Sequence, residues 1–129
     1  MRLLLDSHAV FWSLYEPEKL SDRAREEISD ERNELFISLA TVWELSNKAG
    51  AGRLPIGGST VSIMVARMAQ LADSFISITQ EDIIASANLP RHHADPFDRM
   101  LIAQAQARSL HVVTKDSEIL LYDVPTLWQ

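Results

Sequence analysis

Residues 95–105 read Asp-Pro-Phe-Asp-Arg-Met-Leu-Ile-Ala-Gln-Ala, and residues 111–116 continue His-Val-Val-Thr-Lys-Asp. Asp95 followed by Pro96 is a strong helix start, because the carboxylate can cap free backbone N–H groups and proline fits the first helical turn. The apolar positions that follow recur at helical spacing, whereas residues 112–113 form a short apolar run typical of a buried strand. This stretch therefore predicts a helix that leads into a strand, as in proteins with a parallel sheet.

The same alternation extends over the rest of the chain. Short apolar runs predict strands at residues 3–5, 35–37, 75–78 and 112–113. Residues that can cap a helix precede apolar positions at helical spacing, and these predicted caps are Ser21, Thr41, Ser59 or Thr60, Thr79 and Asp95. Most of the strands lack polar alternation, as expected when both faces of a sheet are buried. We therefore expect an α/β protein with a central parallel β-sheet flanked by helices.

Length and composition limit the possible classes of protein. The 129 residues, of which 47% are hydrophobic and 23% charged, suit one globular domain that spans residues 1–129. The absence of cysteine excludes disulfides and thiolate metal sites. No apolar run reaches membrane-spanning length, so we expect a soluble protein of the reducing cytoplasm. The net charge of −6 opposes broad phosphate neutralisation, but acids gathered at one metal site would also produce it.

Four acidic residues occur where a parallel sheet places its chemistry. Asp6 and Asp116 follow the first and last predicted strands, Glu44 lies one helical turn beyond the second strand, and Asp98 opens the helix before the last one. Ligands bind beyond the carboxyl ends of parallel strands, so we expect the four carboxylates to converge. A cation would relieve their repulsion, and ligands that are all oxygen suit Mg²⁺ or Mn²⁺ better than zinc.

Three of these acids also have a structural interpretation. Asp6 can cap the helix that follows it, and Asp116 can cap residues 117–121. Thr41-x-x-Glu44 matches the capping-box pattern, and Glu44 stands four residues before Lys48, a spacing at which opposite charges pair on a helix. Position alone therefore leaves both the structural and the functional interpretation open for these residues.

Asp98 differs from the other acids because it shares a helix face with apolar residues. Its row continues through residues 101, 102 and 105, so it points toward the packed side, where an unpaired carboxylate is costly. This placement favours a functional role for Asp98. Asp95, by contrast, combines with the following proline as a helix cap, and we interpret it as structural.

Three basic residues flank Asp98. Arg99 can reach a phosphate oxygen, although an exposed arginine in a first helical turn is ordinarily only solvated. His92 and His93 lie in the loop before the helix. Zinc would need a third nitrogen or sulfur ligand nearby, and none is present, so we expect both histidines to be solvated.

Four blocks of sequence together resemble the PIN-domain nucleases, and within them the VapC-like toxins of prokaryotic toxin–antitoxin pairs. They are Leu-Leu-Leu-Asp-Ser-His at residues 3–8, a Ser-x-x-Thr-x-Trp-Glu pattern from residue 38, residues 92–105, and Thr-Lys-Asp at residues 114–116. The Asp-Pro-Phe-Asp-Arg segment of the third block is the most specific. One departure is Ser7, where this branch often has threonine, and either residue supplies a hydroxyl.

The resemblance implies cleavage of single-stranded RNA with Mg²⁺ or Mn²⁺ on a parallel sheet wrapped by helices. Matched one at a time, the four acids of the family are Asp6, Glu44, Asp98 and Asp116, which would be both catalytic and metal-binding. Asp98 is chosen over Asp95 because the Leu-Ile-Ala run follows it at the usual offset of the family. The resemblance also implies a homodimer and a protein antitoxin whose tail crosses the acid pocket.

Other functions fit the sequence less well. A phosphatase with a strand-end aspartate nucleophile would ordinarily have a second acid two residues after Asp6, and His8 occupies that position. A histidine-aspartate phosphohydrolase needs the two residues adjacent, but Ala94 separates His93 from Asp95. A non-catalytic protein-binding module of the same fold would have no reason to keep a repulsive carboxylate cluster.

Overall fold

The structure is a computed structural model that describes residues 1–129. Five strands form one sheet in the order β3-β2-β1-β4-β5, and every pair of neighbours is parallel. The strands are β1 (Arg2–Leu5), β2 (Glu34–Ser38), β3 (Ser74–Ile76), β4 (His111–Val113) and β5 (Thr126–Leu127). The α/β class predicted from the sequence, with its central parallel sheet, is confirmed.

Six α-helices cover the two faces of the sheet. They are α1 (Ser7–Tyr15), α2 (Asp22–Ser29), α3 (Leu39–Gly50), α4 (Val61–Leu71), α5 (Gln80–Asn88) and α6 (Pro96–Arg108). Two short 3₁₀ turns lie at Pro17–Lys19 and Ile119–Leu121. None of these helices is both long enough and apolar enough to span a bilayer.

The sheet separates two apolar cores, because alternate residues of a strand point to opposite faces. Leu3 and Leu5 of β1 belong to the core formed with α1, α3 and α4, whereas Leu4 belongs to the core formed with Leu101 and Ile102 of α6. All five leucine and isoleucine side chains are buried. Burial on both faces explains why β1 is a continuous apolar run.

Most helices begin where the sequence predicts. A side-chain oxygen accepts a backbone N–H of the first turn at four of the predicted caps, Ser21, Thr60, Thr79 and Asp95. These caps satisfy N–H groups that the helix itself leaves without a partner. The sequence therefore predicts the starts of α2, α4, α5 and α6 from local chemistry alone.

Helix α3 begins earlier than predicted. Its cap is Ser38, whose hydroxyl accepts the N–H of Ala40 at 3.1 Å, and its first residue is Leu39. The predicted cap at Thr41, and the capping box of Thr41 with Glu44, are therefore wrong. The reason is that Ser38 is also the last residue of β2, so the chain passes from strand to helix without a loop.

The sequence does not predict β5, which has only two residues. Thr126 and Leu127 pair with residues 112 and 113 of β4. Such a short strand shows no period that a pattern search can detect. Its effect is to cover the outer edge of β4, so that β4, like β1, lies inside the sheet.

Candidate active site

The order of the strands creates a crevice where β1 and β4 end. The sheet extends from β1 to β2 and β3 on one side and to β4 and β5 on the other. Leu5 pairs with Val113, and the N–H of Asp6 donates to the Val113 carbonyl at 3.1 Å. In open α/β sheets, ligands bind at the carboxyl ends of the strands where the order reverses. Asp6 and Thr114 lie at this point.

Asp6 is buried at the end of β1, with only 3% of its surface exposed. One carboxylate oxygen accepts the N–H of Ala9 at 2.8 Å and thereby caps α1, as the structural interpretation predicts. Burial raises the pKa of Asp6, hydrogen bonds from Thr114 and from the Ala9 N–H lower it, and the nearby Asp116 raises it again. The pKa stays above its ordinary value, so capping does not offset the cost of burying this charge.

Asp116 lies close to Asp6 and Thr114. The Thr114 hydroxyl oxygen accepts the N–H of Asp116 at 3.0 Å, and both Thr114 and Asp116 affect the pKa of Asp6. Asp116 also accepts the N–H of Glu118 at 2.9 Å, but regular helix follows only at Ile119 and as a short 3₁₀ turn. The sequence analysis assigned no role to Thr114. A hydroxyl next to a strand end and two residues before an acid could have indicated one.

Asp98 reaches the site from the first turn of α6. Its side chain is 15% exposed and faces inward, as its place on the apolar row predicts. Burial raises the pKa of Asp98 to about 7, with further repulsion from Asp95, Asp116 and Asp6 opposed by a hydrogen bond with His93. The structure therefore brings Asp98 into electrostatic contact with Asp6 and Asp116.

Asp95 is exposed and caps α6, as predicted. Its Oδ1 accepts the N–H groups of Phe97 at 2.9 Å and of Asp98 at 3.1 Å, and Pro96 occupies the first helical position. Asp95 is therefore occupied with the end of the helix, whereas Asp98 faces the other aspartates.

Glu44 lies on α3, next to the start of α6, and already has a cation as its partner. The Lys48 ammonium donates to its carboxylate at 3.0 Å, which is the helical pair that the sequence predicts. Trp43, the preceding residue, packs edge-to-face on Phe97 with ring centroids 5.4 Å apart. This contact joins α3 to the start of α6 and places Glu44 and Asp98 on neighbouring elements.

The convergence expected of the four acids is only partial. Three aspartates interact, Glu44 is paired with a lysine, and no three histidine or acidic side chains are grouped so that they could hold one metal ion. The donors nevertheless fit Mg²⁺ or Mn²⁺ chemically, because Mg²⁺ keeps several waters and binds through one or two carboxylates. The raised pKa values of Asp6 and Asp98 show that their negative charge lacks compensation within the chain.

Two basic residues expected near solvent point inward instead. Arg99 is 4% exposed, and its guanidinium donates to backbone carbonyls of residues 86, 89 and 90 at 2.8 to 3.0 Å. It is neither solvated nor free to bind phosphate, so both expectations for it are wrong. The His93 side chain is also buried, whereas His92 is exposed as expected. The C-terminal end of α5 and the residue after it leave carbonyls without a helical partner, and their need for donors explains the burial of Arg99.

Fold and site together define the class of this protein, an open parallel α/β domain with an oxygen-only acidic site at its switch point. The model of the PIN domain family matches residues 3–125. The chain is also 30% identical, over 98% of each sequence, to Ribonuclease VapC22 of Mycobacterium tuberculosis. The chain therefore belongs to the PIN-domain family, and the predicted resemblance to its VapC-like branch is confirmed.

Solved structures support the same fold. VapBC2 from Rickettsia felis, bound to a DNA fragment from its promoter, contains a chain that matches with a TM-score of 0.76 and 12% identity over the whole of both chains. A toxin–antitoxin complex from Klebsiella pneumoniae matches with a TM-score of 0.61 and 19% identity, covering 97% of this chain and 95% of the other. At these identities the likeness concerns the fold.

Proposed function

We propose that this protein, as a single domain over residues 1–129, is a metal-dependent endoribonuclease that cleaves single-stranded RNA and is the toxin of a toxin–antitoxin pair. The observation that carries the proposal is the group of Asp6, Asp98 and Asp116 at the switch point, where burial and mutual repulsion raise the pKa values of Asp6 and Asp98. Membership of the PIN-domain family and the relative named as a ribonuclease support the same reaction class.

In this proposal, Asp6 and Asp98 are the main ligands of Mg²⁺ or Mn²⁺, and Glu44 and Asp116 complete the site or hold its waters. When bound, the cation would lower the pKa of an attacking water and offset negative charge at the phosphate. The protein supplies the orientation. The N–H of Ala9, in the first turn of α1, holds the Asp6 carboxylate in place.

The raised pKa of Asp98 also bears on how the cation would bind. With a pKa of about 7, much of Asp98 carries a proton at neutral pH in the metal-free protein. A cation and a proton compete for the same carboxylate, so metal binding would release protons and strengthen as the pH rises. A titration of bound metal at two pH values would measure this competition.

The test is cleavage of single-stranded RNA by the purified protein with Mg²⁺, with Mn²⁺ and with a chelator. Asp98→Asn is the inactive comparison, and double-stranded RNA and single-stranded DNA define the substrate class. Cleavage that requires the metal and wild-type Asp98 supports the proposal. Hydrolysis of a phosphomonoester without RNA cleavage would favour the phosphatase, and a folded protein without either activity would favour the protein-binding module.

We further propose a homodimer that binds a protein antitoxin, with a cationic side chain of the antitoxin lying in the acid pocket. The charge of the three aspartates supports this, because a lysine or arginine would pair with it and compete with the metal. Similarity to chains found in VapBC2 and in a toxin–antitoxin complex supports the partner class. Co-purified antitoxin should suppress cleavage, and replacing its tail lysine or arginine should restore it. Tight binding without inhibition would refute the blocking model.

A further inference from the structure

A buried hydrogen-bonded network connects Asp98 to the C-terminal part of the chain. His93 Nε2 lies 3.2 Å from Asp98 Oδ2, and His93 Nδ1 lies 2.8 Å from the Tyr122 hydroxyl. The Tyr122 hydroxyl also accepts from Arg99. The His93 side chain and Tyr122 are each 6% exposed, and Arg99 is 4% exposed. Water therefore has little access to replace these bonds.

The donors around the Tyr122 hydroxyl determine which nitrogen of His93 carries the proton. The Tyr122 hydroxyl oxygen faces two donors, Arg99 Nη1 at 3.1 Å and the backbone N–H of His93 at 3.3 Å. A guanidinium and a backbone amide can only donate, so the hydroxyl must give its own proton to the remaining neighbour, His93 Nδ1. A neutral His93 then has its proton on Nε2 and donates it to the Asp98 carboxylate.

We propose that Arg99 and Tyr122 hold His93 in the Nε2–H tautomer, and that His93 is thereby a positioning residue that orients the Asp98 carboxylate for a divalent cation. The metal-binding part of this inference rests on the proposed function. Partners that orient a ligating side chain contribute to metal sites, and their loss costs about 10- to 100-fold in metal affinity or activity. Buried Arg99 thus has a role, because its guanidinium donates to the Tyr122 hydroxyl and so directs the hydroxyl proton to the His93 ring.

The tautomer can be observed directly in the metal-free protein. Nitrogen NMR of histidine-labelled protein at mildly alkaline pH should show His93 with Nε2 protonated and Nδ1 bare, and the His93→Gln spectrum identifies its signals. The same tautomer should persist in Asp98→Ala, because Tyr122 still donates to Nδ1. It should relax to a mixture when Tyr122→Phe is added. A wild-type His93 that carries its proton on Nδ1 would overturn the inference.

Manganese affinity, measured by calorimetry, tests the positioning role. His93→Ala should weaken binding by about 10- to 100-fold, and Tyr122→Phe by about 10-fold, although Tyr122 does not touch Asp98. His93→Gln should restore part of the affinity, because its amide can donate to the carboxylate. Tyr15→Phe is the matched control, since the Tyr15 hydroxyl is buried without a hydrogen-bond partner. Its affinity should equal that of the wild type.

Failure of this inference can be distinguished from failure of the proposed function. Unchanged manganese affinity in His93→Ala would overturn the positioning role even if RNA is cleaved. A wild-type protein that shows the predicted tautomer and the predicted affinity losses, but cleaves no RNA, would overturn the ribonuclease proposal alone. If Tyr122→Phe does not fold, two other results test the inference. They are the His93 tautomer in wild type and Asp98→Ala, and the manganese affinities of His93→Ala and His93→Gln.

Discussion

A largely buried carboxylate lies at each end of helix α6, and the two carboxylates differ in their neighbours. At its C-terminal end, Asp82 of α5 accepts two hydrogen bonds from the Arg108 guanidinium at 3.0 Å each, and one each from Gln104 and the Thr79 N–H at 3.1 Å. Burial raises the pKa of Asp82, but these bonds lower it to about 2. At the N-terminal end, the pKa of Asp98 is raised to about 7.

The difference separates a structural carboxylate from one that is available for chemistry. Asp82 is 3% exposed yet fully paired, so it joins α5 to α6. Asp98 is paired with no lysine or arginine, and a histidine and like charges surround it. A buried carboxylate without a cation in its own chain is stabilised by one from outside, and such perturbed groups cluster at functional sites.

The largest effect on RNA cleavage should come from removing the charge of Asp98 at the N-terminal end of α6. Asp98→Asn keeps the shape of the side chain but removes a proposed metal ligand, so RNA cleavage should fall by more than about 100-fold, beyond the usual effect of an orienting partner. Initial cleavage rates under saturating Mn²⁺ measure it. Asp82→Asn is the matched control, because it removes the same charge from the other end, and its cleavage per folded molecule should resemble the wild type. Equal losses in both variants would contradict the distinction.

The second effect concerns the stability of the fold, and here the substitution at Asp82 should have the large effect. Asp82→Asn leaves the Arg108 guanidinium without its carboxylate, which should lower the free energy of unfolding by about 3 kcal/mol, the lower end for a broken buried pair because Arg108 is 26% exposed. Urea denaturation at neutral pH measures it. The folded pKa of Asp82 lies below its ordinary value, so this contribution is present above 3.8 and is lost as the pH falls toward 2. An unchanged unfolding midpoint would show that the pair contributes no stability.

The sequence predicts what local chemistry decides. Side chains that cap the following turn, such as Thr79 and Asp95, are recognisable within four residues, and the strand-end positions of Asp6 and Asp116 follow from the apolar runs before them. The helical pair of Glu44 with Lys48 is equally local. These features fix most elements and locate the edge of the sheet that carries the acids.

Long-range contacts are what the sequence could not supply. Arg99 lies in a first helical turn, where an arginine is ordinarily solvated. Its burial depends on carbonyls at the C-terminal end of α5, which only the packing of α5 against α6 brings near. His93 and Tyr122 are 29 residues apart, so no spacing rule connects them. Strand β5 is too short to have a period, and its position depends on pairing with β4.

A third measurement tests whether a bound metal ion compensates the charge of the acids at the N-terminal end of α6. Metal that binds only the folded state stabilises it by mass action, by about 2.7 kcal/mol at 100 times its dissociation constant. Thermal melting with and without Mn²⁺ should therefore show a shift in the wild type and in Asp82→Asn. The shift should be much smaller in Asp98→Asn. Identical shifts in all three proteins would place the bound metal elsewhere.

The fourth effect is a pH dependence in the metal-free protein. The folded pKa of Asp98 is about 7 against an ordinary value of 3.8, so the folded state holds this proton more tightly than the unfolded state. Between these values, wild type should lose stability relative to Asp98→Asn as the pH rises. The change should be about 1 to 2 kcal/mol, less than the full shift implies because the carboxylate is partly solvated. Unfolding in a chelator at several pH values measures the gap, and a constant gap would contradict the raised pKa.

The smallest effect is expected at Asp95, one helical turn before Asp98. Asparagine caps a helix nearly as well as aspartate, so Asp95→Asn should lose only the interaction of its charge with the helix end, about 0.3 to 1 kcal/mol. After burial, the charge of Asp95 is the largest cause of the raised pKa of Asp98, so its removal should lower that pKa and reduce competition between proton and metal. The same charge also attracts the cation, so the manganese affinity of Asp95→Asn should change far less than that of Asp98→Asn, and most of the cleavage should survive. Measuring both variants side by side decides the third acid of the site, since an inactive Asp95→Asn beside an active Asp98→Asn would transfer that role to Asp95.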